Sequence, residues 1–103
     1  MLEAGRLAVT LTEGLSRSTF ELDTKAVLAV TRLADIIGEA ASQLVPSFRE
    51  SHPEVPWAKM AGMRNRLIHN YWDVDPDVLW SVVGEDIPTV IPRLEALLAE
   101  LPE

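Results

Sequence analysis

The stretch that decides the fold is residues 24–44, which read TKAVLAVTRLADIIGEAASQL. Its apolar side chains recur in steps of three and four, the spacing of one face of an α-helix. The residues of this stripe are Ala26, Val30, Leu33, Ile37, Ala40 and Leu44. Other apolar residues widen the stripe to more than half of the circumference, so the helix needs neighbours on several sides. We therefore expect a central helix, capped at its start by Asp23 or Thr24.

The same spacing predicts further helices on both sides of the central one. The first covers about residues 2–15. Its apolar face consists of Leu7, Leu11 and Leu15. Pro46 ends the central helix, and residues 52–56 form a loop, because a proline disfavours the helical conformation of the residue before it. Another helix then covers about residues 57–69.

The C-terminal third predicts one long helix with a bend. Asp75 is a helix cap, and Pro76 suits the first helical turn. Apolar residues then keep helical spacing at Leu79, Val83, Ile87, Val90, Leu94, Leu97 and Leu101. Prolines within this stretch remove backbone hydrogen bonds without breaking the stripe, so we expect a bend near residues 84–88. Four main helices with short connections predict a single all-α domain over residues 1–103, an antiparallel helical bundle.

The composition excludes several classes of protein. The chain has 103 residues, 48% of them hydrophobic, which suffices for one core and is too many for a disordered chain. The absence of cysteine excludes disulfides, thiol nucleophiles and cysteine-ligated metals. No apolar run reaches the roughly 20 residues that span a bilayer, and the N-terminus lacks the order of a signal peptide. We therefore expect a cytoplasmic protein. We expect no cofactor, and the absence of a glycine-rich phosphate loop argues against binding and hydrolysis of a nucleotide by the chain itself.

The net charge of −7 argues against a protein that coats nucleic acid through its overall charge. The charge is unevenly distributed, however. Residues 1–48 carry a net charge of −2 and residues 72–103 a net charge of −7, whereas residues 49–71 carry +2. The basic residues of this middle stretch are Arg49, Lys59, Arg64 and Arg66. A local anion-binding site on an acidic protein is one explanation, and chance over so short a stretch is the other.

Arg64 lies in the middle of the apolar face predicted for residues 57–69, where an unpaired guanidinium would be costly to bury. One explanation is structural: Arg64 pairs with Glu39 or Asp35 of the central helix, or its guanidinium reaches out to solvent. The other is functional, because further polar side chains follow within seven residues. They are Asn65, Arg66, His69 and Tyr71.

These side chains are the groups required for metal-independent RNA cleavage, in which a 2′-hydroxyl attacks the adjacent phosphate. An arginine offers a planar fork to phosphate oxygens, and a histidine transfers protons near neutral pH. A tyrosine hydroxyl can donate, accept or be modified. On a continuous helix Arg64 and His69 would lie about 140° apart. They converge only if the helix ends near His69 or if a second subunit contributes its own copy.

The spacing of Arg64, His69 and Tyr71 resembles the signature of the HEPN superfamily, in which a polar residue such as Asn65 often follows the arginine. Over about residues 19–101 the chain resembles the HepT-like toxins of that superfamily. The strings that carry the resemblance are IGEAA at 37–41, VPW at 55–57, AGMRN at 61–65, HNY at 69–71 and DIP at 86–88. First helices of this family usually begin earlier, which leaves open how well the first helix covers the core here.

The resemblance implies a HEPN-like helical fold and a toxin that cleaves RNA as a homodimer, with the two motifs meeting at the dimer interface. It assigns phosphate binding to Arg64, acid or base catalysis to His69 and a supporting hydrogen bond to Asn65. It also implies a partner nucleotidyltransferase antitoxin of the MntA type that adds AMP to Tyr71. A bulky anion beside Arg64 would occupy the phosphate site and repel RNA.

Two more residues are supporting candidates for the site. Arg66 belongs to the same polar run, and Glu39 either pairs with Arg64 and orients it or is a solvated acid. His52 is expected to be a solvated loop side chain. The three tryptophans are expected to pack in the core or an interface, although they could stack on bases. No metal site is predicted, since His52 and His69 lack ligand spacing.

The alternative to a toxin is a non-catalytic helical dimer that binds a nucleotidyltransferase and serves as its substrate or regulator. Both functions use the same residues, so the sequence does not separate them.

Overall fold

Helices form most of the chain, as the apolar spacing predicts. The computed structural model describes residues 1–63, 68–70 and 73–100, with only the backbone of residues 68–70 and 73–74. In chain order, the described elements are α1 (Leu2–Thr12), α2 (Arg17–Leu22), α3 (Thr24–Ser42), α4 (Pro46–Ser51), α5 (Trp57–Ala61), β1 (Ile68–Asn70), β2 (Asp73–Val74), α6 (Pro76–Ser81), a π-helical turn (Val82–Asp86) and α7 (Ile87–Glu100). The fold is all-α, with one pair of very short strands in a connection. None of the described helices is long and apolar enough to cross a membrane.

Helix α3 lies at the centre of the fold, which confirms the prediction from its wide apolar face. Among the described elements, α1, α2, α5 and α6 pack against it. The predicted cap is present, because the Asp23 side chain accepts a hydrogen bond from the Ala26 backbone N–H at 3.0 Å. The buried residues of α3 are Ala26, Val30, Ala34, Ile37, Gly38 and Ala41. Small residues dominate this set, so neighbouring helices can approach closely.

Helix α1 covers the core, but the predicted leucine face is wrong at Leu7 and Leu11, whereas Leu15 does pack against the core. Leu7 and Leu11 are 49% and 39% exposed, whereas Gly5 and Ala8 are buried. The reason is the close approach of α1 to the C-terminal helix. A Cβ atom at Gly5 would lie only 3.3 Å from the Cγ2 atom of Ile87. The small residues Gly5 and Ala8 permit this contact, and Leu7 and Leu11 face solvent.

Helix α1 ends at Thr12, before the predicted end at residue 15, and Gly14 has a positive φ of 78°. Helix α2 is tied to α6 by Arg17, whose Nε donates to Asp77 Oδ1 at 2.8 Å and whose Nη1 donates to Glu21 Oε2 at 2.9 Å. The hydrogen bond to Asp77, followed by that to Glu21, raises the pKa of Arg17.

The C-terminal apolar stripe is confirmed along its described length. Its buried members are Leu79, Val83, Ile87, Val90, Leu94 and Leu97, and Leu101 lies outside the described residues. A π-helical turn lies at the position of the expected bend, and in it the Ile87 N–H donates to the Val82 carbonyl five residues earlier. Pro88 explains the position of the turn, because its ring cannot be accommodated against the carbonyl four residues earlier in a regular helix.

Helix α4 has no counterpart in the sequence-based prediction. Helix α3 ends at Ser42, two residues before the predicted end at Leu44, and Pro46 then opens a new six-residue helix in which it occupies the first turn. The predicted loop over residues 52–56 follows directly.

Candidate functional site

The segment that carries the polar motif is fixed on its N-terminal side by α5. Trp57 is buried, and its indole N–H donates to the His52 carbonyl at 2.9 Å. Met60 and Met63 have no exposed surface. Met63, the residue immediately before the motif, is therefore held in the core.

The predicted helix over residues 57–69 is wrong in its C-terminal part. Helix α5 ends at Ala61, and Ile68–Asn70 forms β1, which pairs antiparallel with β2. The proline at position 76 favours this arrangement, because it restricts Asp75 to an extended conformation, here φ −74° and ψ 111°. The residues just before α6 are thus extended, and β2 can form backbone hydrogen bonds with β1.

The backbone of His69 therefore belongs to a strand. The separation of about 140° from Arg64, which a continuous helix would impose, does not apply to this chain.

A helix cap fixes the segment on its C-terminal side, as predicted. The Asp75 Oδ1 atom accepts hydrogen bonds from the backbone N–H groups of Asp77 at 2.9 Å and Val78 at 3.3 Å. Pro76 is the first residue of α6. The motif thus lies between two fixed points, Met63 in the core and Asp75 at the start of α6.

The predicted site residues themselves are described only in part. Arg64, Asn65, Arg66 and Tyr71 lie outside the described residues, as does the side chain of His69. The convergence of these groups on one substrate stays a prediction. Within the described part of the chain, no group of three or more His, Asp or Glu side chains could hold a metal ion.

The polar strip of α3 contains the two acids that the sequence offers as partners for Arg64. Glu39 is exposed and accepts a hydrogen bond from the side-chain amide of Gln43 at 3.0 Å. The Asp35 side chain is only 24% exposed and accepts from the Arg32 guanidinium at 3.1 Å. Asp35 is thus the more enclosed acid, while the pairing of either acid with Arg64 stays a prediction.

An ion pair that the sequence analysis missed joins α5 to the π-helical turn. Lys59 Nζ lies 3.0 Å from Asp86 Oδ1, and Asp86 is only 7% exposed. The sequence does contain a signal for this buried acid. Asp86 follows Val83 by three residues and precedes Val90 by four, so it occupies a position on the apolar stripe.

His52 and the described tryptophans have structural contacts. His52 is not the solvated side chain that we predicted: its ring centroid lies 4.7 Å from that of Phe48, and its Nδ1 lies 3.5 Å from Glu54 Oε1. Trp57 is buried and Trp80 packs on Phe20 with ring centroids 5.1 Å apart. For these two tryptophans the prediction of core packing is confirmed.

Comparison with known proteins identifies the family. The profile of the family described as "Ribonuclease HepT-like" matches residues 1–97. "Probable ribonuclease HepT" of Thermococcus cleftensis is 43% identical over 95 residues, which are 92% of this chain and 86% of that protein. "Putative RNase MJ1380" of Methanocaldococcus jannaschii is 37% identical over 95 residues, 92% of this chain and 87% of that protein. No solved structure gives a significant match. The chain belongs to the ribonuclease HepT-like family.

Proposed function

We propose that this member of a ribonuclease family is a metal-independent endoribonuclease toxin that acts on RNA in the cytoplasm. The observation that carries the proposal is the family match over residues 1–97, which includes the complete motif from Arg64 to Tyr71. In this proposal Arg64 binds the scissile phosphate and His69 transfers the proton. Asn65 and Arg66 support the site through hydrogen bonding and charge.

The proposed reaction is an internal transesterification. The 2′-oxygen forms a bond to phosphorus while the bond from phosphorus to the 5′-oxygen breaks, which leaves a 2′,3′-cyclic phosphate and a 5′-hydroxyl. One proton leaves the 2′-hydroxyl and one arrives at the 5′-oxygen, so no water is consumed. The strand at Ile68–Asn70 supports this chemistry, because the backbone of His69 does not have the helical geometry that would turn its side chain away from Arg64.

We also propose that the protein acts as a homodimer. Two helices that pack against each other, α1 and α3, present large apolar side chains to solvent. Leu28 is 65% exposed and Ile36 is 37% exposed on α3, in addition to the exposed leucines of α1. A second copy that covered these side chains would bury apolar surface and bring a second motif into reach.

The dimer proposal is tested by the mass in solution. Light scattering should give about twice the 11.4 kDa of one chain. Leu28→Lys should shift the protein toward monomer, whereas Leu98→Lys, a matched change of an exposed leucine on α7, should not. A wild-type monomer would leave the shared cleft without a basis.

Regulation by a nucleotidyltransferase of the MntA type is the third part of the proposal. The partner would transfer AMP from ATP to the Tyr71 hydroxyl with release of pyrophosphate, and the added phosphate would compete with RNA for Arg64. Incubation with the partner enzyme and ATP should increase the mass by one or more adenylate groups and abolish RNA cleavage. Tyr71→Phe should remain unmodified, and modification of this variant would exclude Tyr71 as the acceptor.

Cleavage of RNA by the purified protein decides between the toxin and the non-catalytic dimer. Wild type should cleave in the presence of EDTA and leave 2′,3′-cyclic phosphate ends, while His69→Ala and Arg64→Ala should be folded and inactive. Equal cleavage by wild type and His69→Ala would contradict the catalytic assignment. If neither cleaves but the partner enzyme still modifies Tyr71, the protein is the non-catalytic dimer. Unfolding of Arg64→Ala would indicate a structural ion pair.

A further inference from the structure

We propose that Asp86, through its ion pair with Lys59, is a positioning residue that sets the location of the cleavage motif relative to the rest of the domain. The inference rests on the proposed ribonuclease function. Its starting point is the burial of Asp86, which is 7% exposed on an otherwise apolar stripe. A carboxylate in such a place requires a partner, and Lys59 Nζ lies 3.0 Å away.

Lys59 belongs to the element that leads directly into the motif. It lies in α5, five residues before Arg64. Helix α5 has only five residues and is too short to be stable alone, so tertiary contacts must determine its position. The Lys59 side chain is 53% exposed, so its ammonium group meets Asp86 at the edge of the core. The ion pair therefore links α5, which precedes the motif, to the π-helical turn.

A second contact beside the ion pair joins the same two parts of the chain, the segment before the motif and the end of the π-helical turn. Ile87, the residue after Asp86, lines a small apolar void together with Met63 and Ile37. Met63 is the residue immediately before Arg64. Asp86 and Ile87 are thus adjacent residues at the end of the π-helical turn, and their partners, Lys59 and Met63, lie on the segment that precedes the motif. A change at Asp86 should be transmitted along this short connection.

Stability alone does not explain an acid at this position. Replacing a buried ion pair by well-packed apolar residues is often neutral or stabilising, and apolar residues surround Asp86 along the stripe. What an ion pair adds is a fixed distance and direction between two groups. The π-helical turn is consistent with such a role, since these turns are frequent at functional sites.

The charges predict an unusual kinetic signature. Asp86→Asn preserves the shape of the side chain but leaves the positive charge of Lys59 uncompensated near the motif. RNA binding should then be unchanged or stronger, because an added positive charge attracts phosphates. Loss of positioning should instead slow the chemical step, since small misplacements of reacting groups from a distant mutation cost up to about 100-fold in rate. The variant should therefore lose kcat without an increase in KM.

The test compares five purified proteins under the same conditions. They are wild type, Asp86→Asn, Asp86→Glu, Lys59→Met and the matched control Glu95→Gln, which breaks the 3.1 Å ion pair between Arg6 and Glu95 that joins α1 to α7. We expect kcat to fall about 10- to 100-fold in Asp86→Asn and in Lys59→Met when it is measured well below the Tm of each variant, because removing one partner of a buried pair also lowers stability. Asp86→Glu should recover part of the activity, because it restores the carboxylate, and Glu95→Gln should behave as wild type.

Two results would overturn the inference: an Asp86→Asn variant as active as Glu95→Gln, or a loss of activity that merely follows a loss of folded protein. A readout that does not depend on catalysis separates this inference from the proposed function. The backbone amide resonances of residues 62–70 should shift in Asp86→Asn and Lys59→Met but not in Glu95→Gln. If wild type cleaves no better than His69→Ala, the proposed function fails, and these shifts still decide whether Asp86 positions the segment. Unshifted resonances would overturn the positioning role.

Discussion

Removal of the cap at Asp75 should measurably destabilise the domain, because this carboxylate satisfies the start of α6. Its Oδ1 accepts from the Asp77 N–H at 2.9 Å and from the Val78 N–H at 3.3 Å, and no other side-chain acceptor for these groups is found in the described part of the chain. In Asp75→Ala both N–H groups lose this acceptor. The variant therefore tests whether the start of α6 depends on one side chain.

The magnitude follows from the two hydrogen bonds and the charge. Loss of a capping side chain costs about 0.5–2 kcal/mol, with about 1 kcal/mol typical. The negative charge near the helix N-terminus adds about 0.3–1 kcal/mol at low salt. One of the two bonds is long, so we expect a total of about 1–2 kcal/mol for Asp75→Ala. For a domain of this size each kcal/mol lowers Tm by about 4–8 °C.

Urea unfolding followed by far-UV circular dichroism, at one fixed protein concentration, measures the effect. Asp75→Asn is the matched control, since asparagine caps a helix about as well as aspartate and removes only the charge. We expect the asparagine variant to lose only the charge contribution, about 0.3–1 kcal/mol. The reasoning is refuted if Asp75→Ala is as stable as wild type, or if Asp75→Asn is destabilised as much as Asp75→Ala.

Three further predictions concern stability. Leu79→Ala removes three carbons from a side chain with no exposed surface and should lower the free energy of unfolding by about 3–5 kcal/mol in a urea titration. A loss within about 0.5 kcal/mol, which is typical of a surface substitution, would contradict the place of Leu79 in the core. Gly84→Ala should raise the free energy of unfolding by up to about 1 kcal/mol, because the added Cβ meets no atom within 4 Å and alanine reduces the conformational entropy of the unfolded chain. A lower free energy of unfolding would show that the π-helical turn requires glycine. Arg17→Gln should lower the urea midpoint slightly, and by the same amount at about pH 6 and about pH 9. The reason is that the pKa of Arg17 is raised in the folded protein, so that at any pH below its pKa in the unfolded chain the guanidinium is charged in the folded and in the unfolded protein. The difference should shrink at high salt, and a difference that grew with salt would contradict an ion-pair origin.

Much of the fold could be predicted from local sequence chemistry. The wide apolar face of residues 24–44 identified α3 as the central helix, and Asp23 caps it as expected. The dipeptide Asp75-Pro76 identified the start of α6 without knowledge of any tertiary contact. The C-terminal stripe predicted the buried residues of α6 and α7, and its prolines predicted an interruption where the π-helical turn lies. In each case the structure of a segment depends on residues within that same segment, so the local pattern predicts it.

The candidate site was predicted as a string of residue types, but its setting was not. Helical spacing continued through residues 57–69, whereas α5 ends at Ala61 and Ile68–Asn70 pairs as a short strand. Strand pairing depends on a partner several residues away, so a pattern within one segment does not reveal it. The ion pair of Asp86 was missed for a similar reason, because Lys59 lies 27 positions earlier in the chain.

The amino-acid sequence by itself determined the helical class, the central helix, the helix caps and the motif with its family. Only the tertiary structure decided which face of α1 is buried, where α5 ends and which charges pair across the core. The physical reason is that caps and periodic stripes depend on neighbours within one or two helical turns. The burial of Gly5 and Ala8 in place of the leucines depends instead on how closely α1 approaches Ile87, a distance that exists only after the helices have packed.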